Sequence, residues 1–131
     1  MNPPNPPALE RRGGAVIRQG AVQPITPVVI AGQRLAFVSG QVPMRDGKPA
    51  APDIAGQTHA VIDQIESLLQ AAGSGLDRVA KITVWLVDAG DYPAFNAAYA
   101  ERFGEHPPAR STVISGLLAP VKIEMEAIAV L

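Results

Sequence analysis

The chain has 131 residues, of which eleven are Lys or Arg and twelve are Asp or Glu, so its formal net charge is -1. This length fits one domain, because it is too short to be divided between two well-buried cores. A net charge near zero supplies no cationic field for a polyphosphate chain, which disfavours nucleic acid as a partner. The absence of cysteine excludes disulfides, thiolate metal ligands and thiol nucleophiles.

The first thirteen residues differ in composition from the rest of the chain. They combine four prolines with charged side chains, namely Pro3, Pro4, Pro6, Pro7, Glu10, Arg11 and Arg12. Such a segment buries too little apolar surface to offset its ordering entropy. We therefore predict a flexible arm over residues 1–13 and a single domain over residues 14–131. We also expect a cytoplasmic protein with no membrane partner, because the chain lacks the apolar runs of a membrane span or a signal peptide.

Short β-branched runs follow the arm. Residues 15–17, 28–31 and 35–38 predict two or three strands, separated by Pro24, Pro27 and Gly32. Residues 40–52 are rich in Gly, Pro and Asp and predict a loop, with a solvent-facing turn at residues 45–48.

Two helices are predicted from apolar residues spaced three or four apart. The first spans residues 53–72, where Asp53 can cap its start and Gly73 can end it. The second begins near Asp91, tolerates Pro93 in its first turn, and ends before Gly104. Each helix is apolar on one face only, so each must pack on another layer.

The remaining elements are strands. Residues 81–87 alternate between two faces, and residues 109–114 and 121–130 are also β-like. Strands combined with two one-faced helices predict an α+β fold with one sheet and one helical layer. Because the second sheet face, which carries Trp85, has no helix to cover it, we predict a homo-oligomer that closes such faces against each other.

Arg110 is the leading candidate for ligand binding. It follows Pro107-Pro108-Ala109 at the start of a predicted strand, which gives a permanently charged, planar fork a fixed position. A fixed guanidinium suits a carboxylate ligand. A solvated charge at a sheet edge is the structural alternative.

Glu124 is the second candidate, because a carboxylate in the largely apolar last strand is costly unless it is paired or used. A hairpin centred near Leu117 would bring Arg110 and Glu124 face to face, either as a structural ion pair or as a catalytic pair. Glu126 lies on the same side of the strand, so these patterns do not choose between the two glutamates.

Other polar residues carry weaker signals. His59 and His106 match no helical metal-ligand spacing, so we predict no metal site. Gly73-Ser74-Gly75 follows a helix and is typical of a helix end. Ser39 has no base nearby in the sequence, which disfavours a serine nucleophile. Asn96 and Tyr99 could reach a cleft, although the spacing of Tyr99 is also that of a core residue.

Several blocks together resemble one known family. They are residues 37–43 (FVSGQVP), Gln57-Thr58, residues 72–77, Phe95-Asn96 with Tyr99, residues 108–111 (PARS), and residues 121–129 (VKIEMEAIA). In this order they resemble the RidA (YjgF) family of enamine/imine deaminases, whose members are also described as endoribonuclease L-PSP or translation initiation inhibitors. The resemblance covers nearly all of the chain after the arm.

The resemblance implies a chorismate-mutase-like fold, with a single mixed β-sheet and two helices on one of its faces. It also implies a homotrimer whose sheets line a central barrel, with clefts between the subunits. The implied reaction is hydrolysis of 2-imino acids such as 2-iminobutanoate and 2-iminopropanoate to 2-keto acids and ammonia, without a cofactor.

The same resemblance implies roles for individual residues. Arg110 matches the carboxylate-binding arginine, Glu124 rather than Glu126 matches the water-positioning glutamate, and the pair Ser39-Gly40 matches backbone contacts to the ligand. Asn96 matches a further cleft position. Two cleft positions depart from the family, because Thr112 stands where many members have cysteine and Ile25 stands where a tyrosine usually follows the early proline.

Two other functions are compatible with the sequence. The Ile25 departure would suit a small-carboxylate-binding or stress protein of the same fold without efficient turnover. RNA cleavage or translation inhibition follows only from the family's older descriptions, and it is opposed by the near-zero charge and the 5% aromatic content.

Overall fold

The computed structural model of the chain describes residues 9–22, 25–32 and 34–131. The expected turn at Pro24 and residues 1–8 of the arm lie outside these ranges. The described strands are β1 (Leu9–Arg12), β2 (Ile17–Arg18), β3 (Ala21–Val22), β4 (Val28–Ala31), β5 (Leu35–Gln41), β6 (Met44–Arg45), β7 (Lys48–Pro49), β8 (Val79–Leu86), β9 (Ala109–Ile114) and β10 (Ile123–Val130). The helices are α1 (Ile54–Ala71) and α2 (Tyr92–Phe103).

Helix α1 has the predicted limits and the predicted apolar face. Asp53 lies in an extended conformation before it, and its side chain accepts a hydrogen bond from the Gly56 amide at 2.9 Å. The helix ends before Gly73, whose φ of +90° favours glycine. The buried residues of α1 that face the sheet include Val61, Ile62, Ile65 and Leu69.

Helix α2 begins after Asp91, has Pro93 in its first turn, and ends at Gly104, as predicted. Asp91 differs from a typical cap, because its side chain makes no capping hydrogen bond. The residues of α2 that enter the core are Phe95, Ala98, Tyr99 and Phe103. Successive rings of Phe95, Tyr99 and Phe103 contact one another along this face.

Among the described residues, the main sheet has six strands in the order β1-β4-β5-β10-β8-β9. The pair β8 and β9 is parallel, and every other pair is antiparallel. Parallel neighbours need a crossover connection, and α2 lies in the connection between β8 and β9. The fold is therefore α+β, with one mixed main sheet and two helices, as predicted.

The two faces of the main sheet have different environments. On one face Ile82, Val84 and Ile123 are buried beneath the helices. On the other face Phe37 and Val113 stay 38% and 44% exposed, and Trp85 is half-buried. The predicted uncovered sheet face is thus present in the described residues, and the homo-oligomer inferred from it stays a prediction.

The structure differs from the sequence-based expectations at three places. Residues 9–12 of the predicted arm form β1, which pairs with β4, since an exposed strand edge offers backbone groups that pair whatever the side chains are. The predicted loop at 40–52 contains the β6–β7 hairpin, and the turn predicted at residues 45–48 is confirmed, with positive φ angles at Asp46 and Gly47. Strands β9 and β10 do not form a hairpin, because β8 lies between them.

Candidate functional site

Arg110 is held by side chains of α2. It is the second residue of β9 and lies opposite Ile82, so its side chain leaves the sheet on the face that the helices cover. Its Nη1 donates to Asn96 Oδ1 at 2.9 Å, and its Nη2 donates to the Tyr92 hydroxyl at 2.9 Å. Both acceptors are uncharged, so these bonds orient the guanidinium without neutralising it.

Aromatic rings of α2 surround the same guanidinium. Its Cζ lies 4.7 Å from the Tyr99 ring centroid, 5.3 Å from that of Phe95 and 5.8 Å from that of Tyr92. These distances are in the range of cation–π attraction. Residues 92, 95, 96 and 99 share one helix face because they are three or four apart. We call Arg110 with Tyr92, Phe95, Asn96 and Tyr99 the Arg110 cradle.

The buried part of the cradle is apolar in character. Burial raises the pKa of Tyr99 to about 12, although the nearby Arg110 charge lowers it, so Tyr99 is a neutral phenol at physiological pH. Within the described residues the buried Tyr99 hydroxyl and Thr112 Oγ1 have no hydrogen-bond partner. Thr112 lies two residues beyond Arg110 on the same face of β9. The structure therefore places Asn96 and Thr112 on the same side of the sheet as Arg110.

Glu124 lies on the opposite face of the sheet. It is the second residue of β10, it pairs with Trp85, and it is half-buried. A Cβ atom at position 40 would overlap Glu124 Oε2, so the glutamate packs where Gly40 has no side chain. A β-bulge aligns these residues. From Val38 to Gln41 β5 advances by three residues, whereas the paired segment of β10, from Ala127 to Met125, advances by two.

Ser39 and Ile25 lie near Gly40, the residue against which Glu124 packs. The Ser39 hydroxyl donates to the Thr26 carbonyl, and the Ser39 amide donates to the Pro27 carbonyl at 2.7 Å. Ile25 is 40% exposed and lines an open cleft together with Ser39 and Gly40. We call Ile25, Ser39, Gly40 and Glu124 the Glu124 corner. The Ser39 amide is used within the sheet, and the backbone contact to a ligand expected at Ser39-Gly40 stays a prediction.

The Arg110 cradle and the Glu124 corner do not meet within the chain. Two strand spacings and three residue steps separate Arg110 from Glu124, or about 14 Å between Cα atoms. Their side chains also leave opposite faces of the sheet. The hairpin that would bring the two side chains face to face is not formed, because β8 lies between β9 and β10, which the sequence pattern did not reveal.

Comparisons with known proteins cover nearly the whole domain. A sequence model of the family described as Endoribonuclease L-PSP matches residues 18–131. The chain is 40% identical over 119 residues to a RutC family protein of Pyrococcus horikoshii, covering 87% of this chain and 94% of that protein. The chain belongs to the YjgF/RutC/RidA family. This membership confirms the resemblance found in the sequence.

Other family members extend the comparison. The chain is 36% identical over 109 residues to the 3-aminoacrylate deaminase RutC of Acinetobacter baylyi, covering 80% of this chain and 86% of that protein. The solved structure of the YjgF gene product of E. coli is 36% identical, with a TM-score of 0.75 over 84% of this chain and 90% of that chain. The structure of yeast Mmf1 has a TM-score of 0.83 at 32% identity, over 93% and 98% of the two chains.

Other family motifs have structural roles in this chain. Gln57 is buried, and it joins the start of α1 to the start of β10 by accepting from the Lys122 amide at 2.8 Å. Ser74 follows α1 and donates to the Val130 carbonyl at 2.7 Å, so the Gly73-Ser74-Gly75 segment ends a helix as predicted. His59 contacts Glu101 at 3.1 Å on the helical layer.

The described residues contain neither a cluster of metal ligands nor a membrane-spanning helix. No group of three or more metal-ligating side chains is found among them. Neither of the described helices combines the length and the apolar character needed to cross a membrane.

Tyr92 is a site residue that the sequence analysis missed. Its hydroxyl contacts Arg110 directly, yet at the start of a helix an exposed tyrosine is a common surface residue. The available signal was its spacing, because Tyr92 and Asn96 are four residues apart on the helix that precedes Arg110. Only the β8–α2–β9 crossover shows that this face is directed at the arginine.

Proposed function

We propose that this family member is a cofactor-independent deaminase that hydrolyses 2-imino acids, and the enamines in equilibrium with them, to 2-keto acids and ammonia. The observation that carries the proposal is the Arg110 cradle, where a guanidinium is fixed by two neutral acceptors and three aromatic rings. A guanidinium has five N–H donors, so three remain for a ligand. That arrangement suits bidentate binding of a carboxylate.

The reaction requires water to add to the imine carbon. With the substrate carboxylate on Arg110, a carboxylate such as Glu124 can accept a proton from the attacking water. Addition forms a C–O bond and gives a carbinolamine. Its protonated nitrogen then leaves as ammonia when the C–N bond breaks, and the C=O bond of the keto acid forms. One carboxylate serves first as base and then as acid.

The separation of the two half-sites supports a site between subunits. Since Arg110 and Glu124 lie on opposite faces of one sheet, about 14 Å apart, a single small substrate cannot reach both within one chain. We propose a homotrimer in which one protomer's Arg110 cradle faces its partner's Glu124 corner. The exposed Phe37 and Val113 side chains on the open sheet face supply apolar surface for such an interface.

Sedimentation equilibrium at micromolar concentration tests this assembly. The trimer requires a mass three times the 13.7 kDa of the chain. A monomer would contradict the assembly and, with it, the shared site.

The activity is tested by the rate at which 2-iminobutanoate disappears. An amino-acid oxidase generates the imine, and semicarbazide traps what has not been hydrolysed. We expect wild type to accelerate the loss and Arg110→Ala to abolish the acceleration. Arg78→Ala, which removes an exposed arginine in the turn before β8, is the matched control. Equal acceleration by wild type and Arg110→Ala would contradict the role of Arg110.

A carboxylate-binding protein of the same fold is the second candidate. The observation that favours it is the apolar, 40% exposed Ile25 in the cleft beside Ser39 and Gly40. Saturable binding of 2-oxobutanoate without rate enhancement would support it. RNA cleavage, which the family's description names, would instead require salt-dependent RNA binding by a chain of net charge -1. The cytoplasmic location stays a prediction.

A further inference from the structure

Tyr92 lies at the outer end of the Arg110 cradle. It is the first residue of α2 and is 42% exposed, whereas Phe95 and Tyr99 are buried. Its hydroxyl accepts from Arg110 Nη2 at 2.9 Å, while Asn96 accepts from Nη1 at the same distance. The two acceptors therefore engage different nitrogens of one guanidinium.

Hydrogen bonds and ring contacts constrain the guanidinium differently. Cation–π attraction keeps it near the rings of Phe95 and Tyr99, but this attraction depends weakly on how the charged group is rotated. A hydrogen bond weakens steeply when its angle departs from linearity. Two hydrogen bonds from separate nitrogens thus fix the rotation of the fork, which one bond alone would leave variable.

The rotation of the Arg110 guanidinium decides whether it can bind a carboxylate through two hydrogen bonds. A bidentate pair needs two N–H groups directed at two oxygens at the same time, so it depends on orientation more than a single contact does. We propose that Tyr92 is a positioning residue, whose hydroxyl orients Arg110 for bidentate recognition of a substrate carboxylate. The inference rests on the proposed function, and it adds a determinant of carboxylate specificity to that site.

Tyr92→Phe isolates the hydroxyl. The variant keeps the aromatic ring that lies 5.8 Å from the guanidinium and 6.1 Å from Phe95, and it deletes only the acceptor. Because position 92 is partly exposed, water can hydrate Nη2 in the variant, so little change in melting temperature is expected. A water molecule does not hold the fork in one orientation.

The first measurement is the affinity for 2-oxobutanoate by isothermal titration, compared with the neutral 2-oxobutanamide. We expect Tyr92→Phe to weaken carboxylate binding by about five- to tenfold, in the range of one lost hydrogen bond, and to change amide binding by less than about twofold. Equal weakening for both ligands would indicate a merely structural role and would overturn the inference.

Kinetics supply a second readout. An anchor that holds the substrate equally in the ground state and the transition state affects KM and leaves kcat unchanged. We therefore expect a KM increase of about five- to tenfold for Tyr92→Phe with kcat within about twofold. A fall in kcat at constant KM would overturn the positioning role.

Arg110→Ala separates failure of this inference from failure of the proposed function. If Arg110→Ala loses 2-oxobutanoate binding and Tyr92→Phe binds like wild type, the inference is overturned and the proposed function stands. If Arg110→Ala itself binds 2-oxobutanoate like wild type, Arg110 does not bind the carboxylate, and the proposed function is overturned.

A double-variant cycle with Asn96→Ala completes the test. Both residues act on the same guanidinium, so the loss in Tyr92→Phe/Asn96→Ala should differ from the product of the two single losses. Independent, multiplicative losses would contradict a shared action on Arg110. A second variant, Tyr92→Leu, removes the ring as well, and it should weaken carboxylate binding at least as much as Tyr92→Phe.

Discussion

The Arg110 cradle and the Glu124 corner lie on the same sheet, but they are assembled differently. Among the described residues, the side chains that hydrogen-bond to Arg110 belong to α2, in the crossover β8–α2–β9 of the same chain. Glu124 lies on the open sheet face, against a glycine and beside an open cleft. The contacts described for Arg110 thus lie within one chain, whereas the role proposed for Glu124 also requires the proposed homotrimer.

The largest expected effect on kcat comes from Glu124, the residue proposed to act as base and acid. Glu124→Gln keeps the size of the side chain and removes its basicity, so kcat for imine hydrolysis should fall by about 100-fold with KM little changed. Glu126→Gln, two residues along the same face, is the control and should behave like wild type. If instead Glu126→Gln lowers kcat and Glu124→Gln does not, the proposed role belongs to Glu126.

Arg110, the residue proposed to bind the carboxylate, is tested by a substitution that retains its positive charge. Arg110→Lys keeps the cation but loses the planar fork that Asn96 and Tyr92 orient, so kcat/KM should fall by about 30-fold, or about 2 kcal/mol. Steady-state kinetics beside Arg78→Lys measure it. Full activity in Arg110→Lys would mean that the site needs a positive charge and no fork.

Substitution of Gly40 tests whether the Glu124 corner depends on the close packing of Glu124 against Gly40. A Cβ in Gly40→Ala would overlap the Glu124 carboxylate and displace it, so kcat should fall by about tenfold, or about 1.4 kcal/mol. Gly116→Ala is the matched control, because a Cβ there meets no atom within 4 Å. If Gly40→Ala keeps wild-type kcat, the position of Glu124 is not critical.

The last expected effect concerns the stability of the buried side of the cradle, and it appears only at high pH. The folded pKa of Tyr99 is about 12, above the ordinary value of 10.0, so its stabilisation is complete below pH 10 and is lost as the pH rises from 10 to 12. Tyr99→Phe cannot ionise, and its unfolding free energy should fall less steeply across that interval. Urea unfolding at several pH values measures the difference. Parallel curves would contradict the raised pKa.

Local patterns in the sequence predicted the elements that depend on nearby residues. The limits of α1 follow from Asp53, Gly73 and apolar spacing, and all of these are properties of short segments. Strand β9 was predicted with its observed bounds for the same reason. The arm and the 40–52 loop were predicted less well, because strand pairing uses backbone groups that composition does not describe.

The candidate site shows the same division between features that local sequence predicts and features that depend on long-range contacts. Residue type and the family motifs predict Arg110, Glu124, Asn96 and Gly40 as site residues. The motifs did not identify Tyr92, because its role depends on the direction in which one helix face points. They also did not show that the arginine and the glutamate lie on opposite faces.

The sequence by itself determined the α+β class, the family, the one-faced helices and the chemical types of the site residues, since these depend on local periodicity and on side-chain chemistry. The tertiary structure alone decided which strands are neighbours and therefore where each functional side chain points. Placing β8 between β9 and β10 is a long-range pairing, set by the crossover through α2 and by packing of the whole core. That pairing keeps the two half-sites apart within one chain.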